Sequence, residues 1–208
     1  RDAGITIINI DNRLSAEVLA EFNLAIPYIG PSNEDGAKQV ADFTVKGLPK
    51  GTQVAILEGI STATNSIERR TGFEKSVRAA GLELVTIQSA SWDQTKAAQI
   101  TSAIISQYPH LQVILAANDN MALGAASAVG LANLDHHIAI AGFDNISAIH
   151  PLIQQGAIQA TVEQYGAKFA VFGIELALEI LNGATEIKDR KTPVDLVTKV
   201  SLSQASGA

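Results

Sequence analysis

The chain contains no cysteine, one methionine and one tryptophan. Without thiols it has no disulfide framework, no thiolate nucleophile and no thiolate metal site. That absence suits the cytoplasm and a bacterial periplasm equally. Charge is also sparse: Asp, Glu, Lys and Arg make up 17% of the residues, the formal net charge is −6, and the 15 Lys and Arg are scattered. A nucleic-acid surface needs a basic stripe that displaces counterions, so no nucleic-acid partner is expected. No segment holds the ~18 uncharged apolar residues that a membrane span requires. The most hydrophobic helix candidate, GAKFAVFGIELALEILNG, is interrupted by Glu175 and Glu179. Catalytic signatures are missing as well. His136 and His137 are adjacent, with His110 and His150 far off, so no metal-ligand spacing arises. There is no G-x-S-x-G elbow, no Walker loop and no G-x-G-x-x-G after a strand. Neither an enzyme nor a cofactor is expected.

What is present is a core. With 208 residues at 47% hydrophobic, the chain can bury one domain or two small lobes. Short β-branched runs alternate with amphipathic stretches. Strands are expected at Ile5–Ile10, Gln53–Leu57, Leu82–Gln88, Val113–Ala116, Ile138–Gly142 and Ala160–Glu163, with VDLVTKVSL as another near the end. Helices are expected at Asp35–Gly47, Ser66–Ala80, Thr95–Tyr108, Asn120–Val129 and Ser147–Gln155. Several strands are apolar on both faces, as strands covered by helices on both sides should be. The alternation predicts parallel sheets with right-handed crossovers, a doubly wound α/β architecture.

In such sheets ligands collect at the carboxyl ends of the strands. The residues just past them are Asp11 and Asn12, the stretch from Thr64 to Arg69, Trp92 and Asp93, Asn118 and Asp119, Phe143 and Asp144, and finally Gln164. Nearly every strand ends in a carboxylate, an amide or an aromatic. Asp, Asn, Gln and Arg can each engage adjacent hydroxyls in pairs, and flat rings suit the apolar C–H faces of a sugar. The set therefore suits a neutral polyol. Each residue also has a plainer reading. Asp119 is the expected N-cap of a helix beginning at Asn120, and Asn118 alone would be a turn residue. Asp144 could form an Asx turn, Arg69 could be a solvated helix charge, and the lone Trp92 could fill core. Their joint placement at strand ends favours the ligand site.

The same residues resemble a known family, the periplasmic sugar-binding proteins of ABC transporters, and among them the ribose-binding type. The matching stretches are ITIINID, VAILEGISTATNSIERRTGF, SASWDQ, ILAANDNMALGAASAV, IAIAGFDN, GAIQATVEQ and PVDLVTKV, in order along the whole chain. The resemblance implies that Asp11, Arg69, Asn118, Asp144 and Gln164 bond sugar hydroxyls, and that Trp92 and Phe143 flank the ring. One departure stands out: the ribose pattern has Asp-Arg after the first strand, whereas this chain has Asp11-Asn12, with Arg13 one place later. An amide for a guanidinium changes reach and donor count, which leaves a hexose, another pentose or an open-chain polyol as open as ribose.

The resemblance also implies two lobes, with the ligand closing them by a hinge motion and the closed form presented to a membrane permease of an ABC importer in the periplasm. RDAGITIINID reads as a helix end running into a strand, so the protein is expected to begin upstream, without roughly the first third of the family's length here. On this reading residues 1–31 and 165–193 are the remnant of an N-terminal lobe, and residues 32–164 and 194–208 form the C-terminal lobe. Phe169, Phe172, Leu176 and Ile180 share a helix face that should pack on a sheet missing its central strand. Exposed apolar surface would then promote self-association, and this chain alone should bind sugar more weakly than the intact protein. The alternative is the sugar-effector domain of a LacI-type transcription repressor, which shares the fold. Here, however, AIQATVEQYGAKFA puts Tyr165 rather than proline after the Gln.

Overall fold

Val, Ile, Leu and Ala dominate the runs that become the central strands, and no charge interrupts them until each strand ends. The computed structural model describes residues 3–205. Its chain falls into two units, residues 1–32 with 164–194 and residues 33–163 with 195–208.

The second unit is built on a six-stranded sheet. In chain order its elements are α2 (Asn33–Thr44), β3 (Gln53–Glu58), α3 (Thr64–Ala79), β4 (Glu83–Ser89), α4 (Gln94–Gln107), β5 (Leu111–Ala116) and α5 (Asp119–Leu131). Then come β6 (Ala139–Ala141), a 3₁₀ turn (Ser147–Ile149), α6 (His150–Gln155), β7 (Ala160–Glu163), β9 (Asp195–Thr198) and α8 (Lys199–Ala205). The strand order is β4-β3-β5-β6-β7-β9. All neighbours run parallel except β7 and β9. After β4 the chain crosses β3 to form β5, so the winding direction reverses between β3 and β5. The carboxyl ends there form a natural crevice for ligand. Helix α2 packs along α3, and α4 along α5. Covered in this way, Val54–Leu57 and Val113–Ala116 are wholly inaccessible, which is why these strands read as continuous apolar runs.

The first unit is slighter. It contains β1 (Asn9–Ile10), α1 (Ala16–Glu21), β2 (Tyr28–Pro31), α7 (Gly166–Leu181) and β8 (Arg190–Thr192). The strands pair in the order β1-β2-β8, all parallel. Helix α7 packs on this sheet through Phe169, Gly173 and Leu176.

Several local expectations are corrected. Only Asn9–Ile10 of the expected Ile5–Ile10 strand pairs with a neighbour. Of VDLVTKVSL, Asp195–Thr198 forms β9, and Lys199 onward turns into α8. The Ser201 hydroxyl accepts from the Thr198 N–H at 2.8 Å and donates to the Thr198 carbonyl at 3.0 Å, which favours a helical turn. Asp119 is the first residue of α5 rather than its cap. The cap is Asn118, whose side-chain oxygen accepts from the Met121 N–H at 3.0 Å.

Candidate functional site

In the second unit, Arg69, Trp92, Asn118, Phe143 and Asp144 come to the carboxyl rim of the sheet, placed by four successive strand-to-helix junctions, with Phe143 and Asp144 sharing the one after β6. Arg69 lies in the second turn of α3, after β3, and is 3% exposed. A guanidinium is rarely that buried unless it is fully engaged. Here Nε donates to the Asn33 side-chain oxygen at 2.9 Å, and Nη1 donates to the Ala117 carbonyl at 2.8 Å and to Asp144 Oδ1 at 3.1 Å. The Arg69–Asp144 pair joins side chains that are 4% and 23% exposed, so the carboxylate keeps its contact with solvent. The solvated-charge reading of Arg69 is thus overturned.

The aromatic pair divides its work. Phe143 is completely buried, with the Arg69 guanidinium 3.7 Å above its ring centre. One face of the ring is therefore taken by Arg69, and Phe143 acts on the rim as the platform under that cation. It does not lie open to flank a ligand directly. Trp92 is half-buried, with Arg69 5.7 Å from its ring centre. Trp92 and Ser91 both adopt positive φ, 66° and 53°. The indole then folds back over Gly59, where a Cβ would fall 2.1 Å from the ring. Only glycine at the end of β3 allows that approach.

Asn118 is 6% exposed. Its oxygen is committed to the helix cap, so the amide NH₂ is the donor this side chain can offer a ligand. Asp144 follows Phe143 with φ 113°, and Asn145 follows with φ 55°. That turn is tied down from below by Asp119, whose carboxyl accepts from the Thr161 hydroxyl at 2.6 Å and from the Ile146 N–H at 2.9 Å. Burial pushes the Asp119 carboxyl up to about 8, opposed by those hydrogen bonds and aided by the Asp144 charge. Sequence reasoning missed Asn33, Asp119 in this role, and Thr161. Their partners lie far along the chain, and no local pattern announces them.

The remaining expected residues, Asp11, Asn12 and Gln164, belong to the first unit. Asp11 and Asn12 are exposed and Gln164 is half-buried. Asp11 has φ 67°, and its carbonyl accepts from the Tyr28 hydroxyl at 2.6 Å. The Asn9 side chain brackets the loop, donating to the Asn12 carbonyl at 2.9 Å and accepting from the Leu14 N–H at 2.8 Å. Arg13 pairs with Asp189 at 2.5 Å and lies 4.5 Å over the Tyr28 ring. The guanidinium displaced by one place in the sequence is thus engaged within its own unit.

A family model described as a periplasmic binding protein domain matches residues 1–185. The D-ribose/D-allose-binding protein of Pseudomonas aeruginosa is 43% identical over 201 residues, covering 95% of this chain and 63% of the relative. This chain therefore spans less than two thirds of that relative's length. Among solved structures, an ABC transporter solute binding protein from Burkholderia multivorans superposes with TM-score 0.89 at 45% identity, covering 95% of this chain and 70% of the other. A periplasmic solute binding protein of an ABC transporter from Actinobacillus succinogenes, with bound D-allose, gives TM-score 0.91 at 32% identity, covering 98% and 73%. These relatives are binding proteins.

Proposed function

The chain belongs to the periplasmic binding protein domain family, and from that premise we propose that it binds a monosaccharide or related polyol for delivery to the permease of an ABC importer. The protein would act in the periplasm, as a binding protein rather than an enzyme. The observation that carries this reading is the Arg69–Asp144 pair. A buried cation is anchored on Asn33, Ala117 and Phe143 and holds a part-exposed carboxylate on the rim that also carries Asn118. Acceptor, donor and the Trp92 ring share one rim, which is what paired hydroxyls and an apolar C–H face require. Asp11, Asn12 and Gln164 contact the ligand in the same proposal. With Asn12 in place of arginine after Asp11, and Arg13 held by Asp189, that loop offers an amide rather than a guanidinium fork. This difference favours a ligand set broader than ribose.

A thermal-shift panel of pentoses, hexoses and polyols tests the reading, because a ligand that binds only the folded chain raises its melting temperature. Concentrations should lie well above those needed by a tight binder. At least one sugar is expected to raise the Tm, and Asn118→Ala and Asp144→Ala should each abolish the shift while leaving the far-UV spectrum unchanged. Mutants that respond like the wild type would refute the site assignment. A panel with no response from the wild type would refute the proposed ligand class.

A further inference from the structure

Within the rim, the turn Phe143-Asp144-Asn145-Ile146 is held in a conformation that its own residues do not favour. Two successive non-glycine residues, Asp144 and Asn145, have positive φ. Such a conformation persists only where its surroundings over-determine it. Asp and Asn tolerate it better than other side chains, yet neither selects it unaided.

The surroundings converge on one residue. Asp119 is wholly buried. Its backbone N–H donates to the Phe143 carbonyl at 2.8 Å, at the start of the turn. Its Oδ2 accepts from the Ile146 N–H at 2.9 Å, at the end of the turn. Its Oδ1 accepts from the Thr161 hydroxyl on β7 at 2.6 Å, and that hydroxyl in turn accepts from the Asn145 N–H at 3.3 Å. Gly142 leaves room for the carboxyl: a Cβ there would come within 2.1 Å of Oδ1. Asp119 thus grips both ends of the turn, the start through its backbone N–H and the end through its carboxyl, and that carboxyl reaches the middle through Thr161. A helix-capping role does not account for this, because the cap of α5 is Asn118.

We infer that Asp119 is a positioning residue of the ligand site: its buried carboxyl holds the turn in the left-handed geometry that points Asp144 at Arg69 and seats Phe143 beneath the guanidinium. The inference deepens the sugar-binding reading, on which its functional meaning rests, but it makes a separate structural claim. Asp119 is not itself a ligand contact.

The test compares Asp119→Ala, Asp119→Leu and Asp119→Asn by residue-resolved amide hydrogen exchange, together with the thermal shift given by D-allose. Asparagine keeps an acceptor for the Ile146 N–H and turns a donor toward Thr161. Leucine fills the space without either. The expected result is that Ala and Leu speed exchange at Asn145 and Ile146 by roughly fivefold or more, as loss of a buried hydrogen bond should. The amides of β3 and β5 should be unaffected, the D-allose shift should disappear, and Asn should restore both the protection and the shift. Thr161→Val, which removes only the hydroxyl, should speed exchange at Asn145 alone. Leucine protecting the turn as well as asparagine would overturn the inference in favour of simple space filling. Equal loss of protection across the whole unit would overturn it in favour of general destabilisation. If the wild type shows no shift with D-allose or any other sugar, the proposed function fails, and the exchange pattern alone still decides whether Asp119 positions the turn.

Discussion

The two units bury their secondary structure to very different degrees. In the second, both faces of the sheet are covered, and the side chains of Val54–Leu57 and Val113–Ala116 are out of reach of solvent. In the first, strands of two, four and three residues carry one long helix, while Ile5, Ile7, Val18 and Phe22 stand exposed. Parallel sheets are stable when both faces are covered, and apolar burial is the main favourable term in folding. Within the described residues the second unit therefore holds most of the apolar burial.

The largest expected effect tests this contrast at the core. Leu115→Ala on β5 removes a wholly buried side chain and should cost about 2–5 kcal/mol. Leu178→Ala, at an exposed position of α7, should stay within about 0.5 kcal/mol. Trp92, the only tryptophan, lies in the second unit, so its fluorescence in denaturant follows that unit's unfolding. Equal costs for the two substitutions, read by far-UV signal for the first unit and by Trp92 for the second, would break the contrast.

A second test pairs two arginines, one from each unit. Arg69→Leu strips partners from Asn33, the Ala117 carbonyl and Asp144, and leaves the Phe143 ring without its cation. Removing one member of a buried pair costs about 3–5 kcal/mol. Because Asp144 keeps 23% of its side chain exposed, about 3 kcal/mol is the better expectation. Arg13→Leu breaks the Arg13–Asp189 pair, whose side chains are 39% and 43% exposed, and should cost no more than about 1 kcal/mol. The same kind of ion pair should thus weigh several times more in one unit than in the other, as urea titration of both variants would show.

The arginines also mark how far the sequence could be read. Central strands and long helices of the second unit follow from apolar runs and helical periodicity, because burial on both faces leaves that trace. The first unit leaves little. β2 is Tyr-Ile-Gly-Pro, in which glycine and proline punctuate rather than continue a strand. The Ile5–Ile10 run reads as a strand, but only its last two residues find a partner. At the site, the residue types at the strand ends could be read, but not their division of labour. Arg69 stands among Glu68, Arg70 and Glu74 and looks solvated. It is buried because Asn33, Ala117 and Asp144 converge on it from three distant segments. Phe143 looks like a platform for a ligand and is a platform for that arginine. Such facts arise from tertiary convergence, which no window of sequence contains.

A further contrast is set by pH. The Asp119 carboxyl is pushed up to about 8 by burial, against an ordinary value of 3.8. A raised folded-state pKa means that the native state binds the proton more tightly than the unfolded chain does. The resulting stability is fully present below about pH 4 and is lost as pH rises through about 8. The stability of wild type relative to Asp119→Asn should therefore fall between those limits and level off above them. In the first unit, burial raises the Asp189 carboxyl, but the Tyr28 N–H and Arg13 more than offset this, so it lies below its usual range. Its contribution runs the opposite way, present above the usual Asp range and lost on acidification. Urea titrations of Asp119→Asn and Asp189→Asn across pH 3–9 should give slopes of opposite sign relative to the wild type.

The smallest effect on stability falls on the outer face of α7. Val171, Ile174, Leu178 and Leu181 are 52%, 63%, 54% and 68% exposed. Their spacing of three and four residues sets them in one stripe, on the side away from Phe169 and Leu176. The helix thus has two apolar faces where a surface helix ordinarily has one. The inner face packs on the first unit's sheet, and the outer face is the kind of contiguous apolar surface through which chains associate. Ile174→Lys with Leu178→Glu should leave urea stability within about 0.5 kcal/mol, because neither side chain is buried. The same pair should shift the molecule toward monomer, as read by sedimentation velocity across a concentration series. If the wild type is already monomeric at every concentration, the stripe has no role in self-association. If the double variant loses stability comparable to that from Leu115→Ala, the stripe is structural, and the first unit is better packed than its exposed side chains indicate.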